Sequence, residues 1–216
     1  MSDLFPKWWN QLPLKIIGGL VFSCVLTTGS VWYYFTPKYT RVGYQPIQPI
    51  PYSHFTHVQQ LGLDCRYCHT QVDKSALAGV PSASICMNCH SQVLATDARL
   101  EQVRESAKTG KPIAWVRIHR LPDYVFFNHA AHVNRGVGCI SCHGNINQMV
   151  EVKHSQPMSM SFCLDCHRNP APNLRPLDQI YNMNWNIDPK LQLSIGEKIM
   201  KDWNINASQN CSACHR

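Results

Sequence analysis

No charged residue occurs between Ile16 and Phe35, so this 20-residue run, IIGGLVFSCVLTTGSVWYYF, has nothing to hold it in water. As a helix it would be about 30 Å long, the thickness of a bilayer core. It lacks a following A-x-A-like cleavage pattern and is longer than the apolar centre of a secretory signal, so a retained anchor is expected rather than a cleaved leader. It also lacks an ionisable side chain at mid-membrane depth, which excludes the usual chemistry of a buried transmembrane site. Charge asymmetry is missing too. Lys7 and Lys15 flank one end and Lys38 and Arg41 the other, so basic residues do not set the orientation. Trp8, Trp9, Trp32, Tyr33 and Tyr34 cluster at the two ends, where interfacial aromatics belong. Only one of the eleven cysteines, Cys24, stands outside a repeated pattern. Val21-Phe22-Ser23 ahead of it is a poor lipobox, and an inert buried thiol is expected there.

The other ten cysteines fall in five copies of C-x-x-C-H: Cys65, Cys68, His69; Cys86, Cys89, His90; Cys139, Cys142, His143; Cys163, Cys166, His167; and Cys211, Cys214, His215. Zinc sites and redox dithiols use C-x-x-C, but neither requires histidine at the next position, and here it follows every time. The spacing has a chemical reason. Two thiols three residues apart each form a thioether to one vinyl of the same porphyrin, and the adjacent histidine reaches the iron from one face. Five covalently bound haem c groups are therefore expected, with His69, His90, His143, His167 and His215 as proximal ligands.

Past residue 40 that leaves about 35 residues per haem, so short helices and irregular loops should wrap a largely porphyrin interior, with little sheet. The formal charge of +7 is offset by propionates. With roughly −1 per ferric haem the holoprotein falls to about +2, which gives poor support for nucleic-acid binding. Arg66, Arg168 and Arg175 read as solvated surface or as propionate partners. Thioether cysteines imply maturation outside the cytoplasm, so residues 36–216 should lie on the extracytoplasmic side.

Residues 1–36 are expected to be the anchor, and 37–53, with four prolines, an extended strap. Residues 54–216 are the haem domain, with a haem pair in 54–110 and three haems in 111–216. A repeat runs through it. His54-x2-His57, seven residues, C-x-x-C-H, sixteen residues, C-x-x-C-H is echoed by His129-x2-His132, six residues, C-x-x-C-H, nineteen residues, C-x-x-C-H. Two histidines one helical turn apart can serve two different irons, which marks His54, His57, His129 and His132 as distal ligands. His154, nine residues before Cys163, and the soft ligands Met149, Met158 and Met160 are weaker candidates. Between the pairs, Val93, Leu94, Leu100 and Val103 suggest one helix over 91–108, closed by Gly110 and Pro112. Residues 113–127 suggest short strand or loop, and 175–202 a long connection with one helix near 196–203.

With these residues in view, the chain resembles the pentahaem membrane-anchored cytochrome c subunit of bacterial alternative complex III. The likeness rests on HFTHVQQLGLDCRYCHT (54–70), GVPSASICMNCH (79–90), VRIHRLPDYVFFNHAAHVNRGVGCISCHG (116–144) and PMSMSFCLDCHRNP (157–170). More distantly it resembles the small class III multihaem cytochromes, which implies their haem packing in a mostly α fold. The family adds His119 to the distal set and implies mostly bis-histidine haems, with a methionine at one. It implies partners as well. Iron–sulfur and molybdopterin-like subunits and polytopic quinol-binding subunits would oxidise quinol. The haem subunit would relay electrons to a soluble copper protein, a cytochrome c or an oxidase, from the outer face of the bacterial cytoplasmic membrane. An alternative is a membrane-anchored multihaem quinol dehydrogenase feeding a periplasmic reductase, but those place methionine two residues after the first motif histidine, and Thr70-Gln71 follows His69 here. A catalytic multihaem reductase would need an open haem face, often through C-x-x-C-K, a motif absent here.

Overall fold

A computed structural model describes residues 6–35 and 41–215, without the side chains of Lys7 and Phe35. Lys38 and residues 37–40 of the expected strap lie outside the described residues. Two compact units result, residues 1–41 and 42–216.

The first unit is a short 3-10 turn, Lys7–Gln11, running into helix α1, Leu12–Phe35. Pro13 sits in the first turn of α1, where its missing N–H costs nothing. The span Trp8–Tyr34 has a mean hydropathy of 1.7 and is long and apolar enough to cross a membrane. Its large side chains all face outward, Leu14, Leu20, Phe22 and Val25 among them, so no packing within this unit accounts for their apolarity. Cys24 is exposed on this helix. Within the unit alone it is thus not the buried thiol expected from sequence.

The second unit is helical and irregular. Helices α2 (Cys65–Cys68), α3 (Ala83–His90), α4 (Glu101–Thr109), α5 (His129–Val133), α6 (Cys139–His143), α7 (Met160–Arg168), α8 (Pro189–Asp202) and α9 (Cys211–Cys214) are joined by loops and 3-10 turns, and Phe55–Gln60 forms a π-helical turn. Among the described residues there is no sheet, only isolated bridges between Val125 and His215 and between Val137 and Leu174. Short polar caps start several of these helices: Asp64 accepts from the Arg66 N–H, Asn128 from Ala131, Ser159 from Phe162 and Asn210 from Ser212.

Two apolar clusters hold the unit. Ile50, Ala83 and Val103 meet with Met87, Leu100, Ile113 and Trp115 around them. Val72, Val133 and Ile180 form the other, which joins the first haem pair to the later motifs. Hydrogen bonds reinforce that join, because the Ala130 N–H donates to Ser75 O and Asn134 Nδ2 to Asp73 O. Residues 42–53 pack into the same unit. Gly43 N–H donates to His154 O, His154 N–H to Tyr44 O, and Gln48 brackets the Val116 backbone through its side-chain amide.

Two segments differ from the sequence expectation, and a third, 113–127, agrees with it. The helix expected over 91–108 is confined to α4, because Leu94 adopts a left-handed φ of 54° and Asp97 caps a separate short turn. Val103 is buried as expected, but Val93 and Leu94 are exposed. Residues 113–127 form a loop. The helix expected near 196–203 begins at Pro189, which occupies its first position while Asp188 caps the N–H groups of Lys190 and Leu191. Proline read as a breaker is here a starter.

Helix α8 approaches residues 171–173 so closely that a Cβ at Gly196 would stand 1.9 Å from the Ala171 carbonyl oxygen. Backbone cannot yield as a side chain can. Gly196→Ala should therefore cost roughly 2 kcal/mol or more, read as a lowered midpoint in thermal or denaturant unfolding. An unchanged midpoint would show that α8 does not seat there.

Candidate functional site

Each C-x-x-C pair lies within or closes a short helix, which turns both sulfurs toward one side. In α2 and α9 the helix ends at once, and the motif histidine N–H closes onto the first cysteine: His69 onto Cys65 O and His215 onto Cys211 O. Among the described residues no disulfide forms, and no three His, Cys, Asp or Glu groups converge on a bare metal ion. A porphyrin brings four donors of its own and would ask only axial ligands of the chain. Burial pushes the Cys139 thiol up to about 11 and the Cys142 thiol up to about 12.

The histidines are locked in one tautomer. His69 Nδ1 bonds to Gly79 O, His90 to Val93 O, His167 to Ser208 O, His57 to Ser53 O, His129 to Ala76 O and His132 to Asn128 O. A carbonyl only accepts, so Nδ1 carries the proton in all six and Nε2 is left with a free lone pair. Metal-binding imidazoles need this arrangement. The bond from His90 to Val93 also accounts for the bend that ends α3 early.

The rings are also at the right separation. A metal–imidazole bond of about 2.0 Å on each side, with roughly 1.1 Å from nitrogen to ring centre, places two trans imidazole centroids about 6 Å apart. His57 and His90 are 6.2 Å apart, His132 and His167 6.0 Å, and His129 and His143 6.5 Å. His54 lies within electrostatic reach of the first motif: burial, and then His69, push it down to about 4, and its Nδ1 is buried without a hydrogen-bond partner. The three measured pairings follow the repeat: His129, first of its H-x2-H, meets the nearer motif, and His57 and His132, each second, meet the farther one.

His119 stands beside the third motif. Its ring is 4.5 Å from His143 and 5.2 Å from His154, too close for an iron between the rings. Its Nε2 is buried and unpartnered, and burial together with His154 pushes it down to about 4. His143 is pushed down to about 3, by burial first and His119 second. His154 is almost fully buried beside them. Met149 is buried, and its carbonyl accepts the Phe55 N–H, whereas Met160 is exposed at the start of α7. Beside His215 stands Tyr124, with ring centres 5.9 Å apart.

Two aromatics that the motif search passed over organise the distal histidines. Tyr52 lies face to face with His57 at 4.5 Å and edge-on to His54 at 4.9 Å. Phe127 does the same to His132 at 4.6 Å and His129 at 4.8 Å. The repeat is therefore aromatic-x-H-x2-H, readable in YSHFTH and FNHAAH. One ring fixes the planes of two imidazoles that face different motifs.

Among the arginines, Arg66 pairs with Asp64 at 2.9 Å and lies over the Tyr181 ring, and Arg168 stands 3.8 Å from Asp165. Both are exposed, as solvated residues should be. Arg175 is buried, which corrects its reading as surface.

Thiol pairs with adjacent histidines, lone pairs aimed by carbonyls, and imidazoles one metal apart are what covalently bound haem c would need from a chain. The comparisons agree. Residues 125–216 match the family described as cytochrome c7 and related cytochrome c. A relative in Nitratidesulfovibrio vulgaris, the multiheme cytochrome c subunit of menaquinone reductase, is 42% identical over 100 residues, 46% of this chain and 47% of the relative. The chain thus spans about half the length of the curated relative it matches.

Replacing Tyr52 by Leu should reorient the imidazoles of His54 and His57 and leave His129 and His132 alone. Low-temperature EPR should then show two low-spin signals with altered g-anisotropy and the rest unchanged. A spectrum identical to wild type would remove Tyr52 from any positioning role.

Proposed function

We propose that the chain binds five haems and relays electrons within a quinone-linked membrane complex of the alternative complex III kind. In this reading the ten motif cysteines hold the porphyrins, and His69, His90, His143, His167 and His215 bind the irons from one face. His54, His57, His129 and His132 close the opposite face of the first four. His119, His154, Met149 and Met160 remain candidates for the fifth. Each haem supplies one-electron chemistry. The chain's own part is to hold both faces occupied by neutral imidazoles, so that an electron arrives and leaves without opening a coordination position.

The observation that carries this reading is the set of histidine pairs at 6.0–6.5 Å. A reductase acting on small molecules needs a free face, whereas paired imidazoles suit transfer alone. Residues 1–36 act as a single-pass anchor in the bacterial cytoplasmic membrane, with the haem domain on the periplasmic side. The quinone site belongs to a polytopic partner, since α1 carries no ionisable group at mid-membrane depth. Iron–sulfur and molybdopterin-like subunits would complete the complex, and a soluble copper protein, a cytochrome c or an oxidase would take the electrons.

The second reading reverses the flow, from a periplasmic donor through the haems to quinone. It is favoured by the relative's designation as a menaquinone reductase subunit. Haem quantification and EPR-monitored redox titration of the native detergent-solubilised complex test the relay: five low-spin haems per chain are expected. A high-spin haem that binds carbon monoxide or nitrite would overturn it. Direction is then read by adding menaquinol to the oxidised complex. Haem reduction faster than the reverse reaction supports outward transfer, and the opposite order supports the second reading.

A further inference from the structure

Arg175 is 7% exposed, the one arginine or lysine among the buried side chains of the described residues. It lies directly on the third haem-binding motif. An ideal Cβ on Gly138, the residue before Cys139, would stand 2.5 Å from Arg175 Nε and 2.7 Å from its Cζ. The guanidinium occupies the space that a side chain at 138 would take. The backbone is pinned as well. Arg175 N–H donates to Gly136 O at 2.8 Å, and Gly136, at a φ of 88°, would meet Arg175 O with any Cβ. Nη1 donates to Asn182 O at 3.1 Å. Among the described residues no carboxylate is within ion-pair distance, in contrast to Arg66 and Arg168.

A buried guanidinium without a counter-charge is costly to keep, and the Asn182 carbonyl is the acceptor it has among the described residues. A charge kept at such cost acts on what lies beside it. Next to it is Cys139, whose ionised form the guanidinium favours. In the mature protein that sulfur is the thioether edge of the third haem, on the reading given above. A propionate lies at the far edge of a porphyrin from its thioethers, so the third haem's own carboxylates are not the natural partner. A fixed cation at that edge also acts on the field at the iron. The ferric haem core is one charge more positive than the ferrous, and a fixed cation disfavours it.

We propose that Arg175 is an electrostatic tuning residue, a fixed buried cation that raises the reduction potential of the haem bound by Cys139, Cys142 and His143. It rests on haem attachment at that motif, not on the direction of electron flow or the identity of the complex. Being buried, the charge is weakly screened by salt.

The test is a spectroelectrochemical titration of the haem-loaded full chain with Arg175→Gln, which keeps a donor for Asn182 O, and Arg175→Lys, which keeps the charge. The expected result is one haem component moved to lower potential in the Gln variant and restored in the Lys variant, with all low-spin EPR signals retained. Arg175→Met keeps the aliphatic stem and should act like Gln if the Gln variant does not mature. Unchanged curves in the neutral variants would overturn the proposal, as would equal shifts with Lys and Gln, which would trace the effect to packing. Maturation of the Lys variant alone would make the charge a folding requirement and overturn tuning also. Five normal haem absorbances with no shift would sink the proposal while leaving the relay standing, and missing absorbance at the third motif in the wild type would sink the haem reading itself.

Discussion

One small bond recurs through the haem domain: an imidazole Nδ1–H donated to a backbone carbonyl. It fixes the tautomer, aims the Nε2 lone pair and ties the ring to a particular piece of chain. In His57 and His132 the carbonyl is four residues back, so the bond stiffens its own helical turn. In His69, His129 and His167 the carbonyl is ten, 53 and 41 residues away. There the same bond serves as tertiary structure. The loop 72–79 receives two of them, from His69 at Gly79 and from His129 at Ala76, and so ties the first C-x-x-C-H motif to the second H-x2-H. With no sheet among the described residues and mostly one- or two-turn helices, the unit has few other long-range backbone bonds to hold its shape.

That economy explains the thin core. Two apolar clusters of three buried residues each are little for a body of this length, and Leu61, Leu77, Val80, Val93 and Phe126 stay exposed. On the reading proposed above, burial of porphyrin faces would supply the hydrophobic stabilisation that a core otherwise gives. The aromatic clamps fit the same logic. Tyr52 and Phe127 pack on imidazoles because each H-x2-H turn has no helix long enough to brace it.

The parts of this protein with chemical spacing were legible in the sequence. Five C-x-x-C-H motifs, the doubled H-x2-H and the uncharged run to Phe35 each follow from a single local rule, and they pointed to haem, to α1 and to histidines of which three stand 6.0–6.5 Å from a motif histidine. What was not legible depends on long-range placement. Pro189 starts α8 only because Asp188 is there to cap it, and Leu94 leaves the helical region where the chain turns back to give Val93 O to His90. His119 has the composition of a ligand, yet it packs edge-on against His143. Arg175 looks like any surface arginine until the glycine at 138 is seen to open a slot for it. The clamps were legible in principle, as an aromatic two residues before each H-x2-H, but that pattern has meaning only once the rings are seen to stack.

The third motif is where these constraints meet. His129 faces it across the width of one metal, His119 and His154 crowd its proximal ring, and the Cys65 thiol of the first motif lies near enough to Cys139 to oppose its ionisation. Val133 and Cys139 belong to the cluster that joins the two halves. A site with neighbours on every side suits, on the reading proposed above, the passage of an electron. It is also the place where one charge reaches the most centres, since Coulomb energies fall only as 1/r in a weakly screened interior. A carrier with distinct inlet and outlet needs such a junction: the potential set there decides whether electrons dwell in the middle of the chain or pass through it.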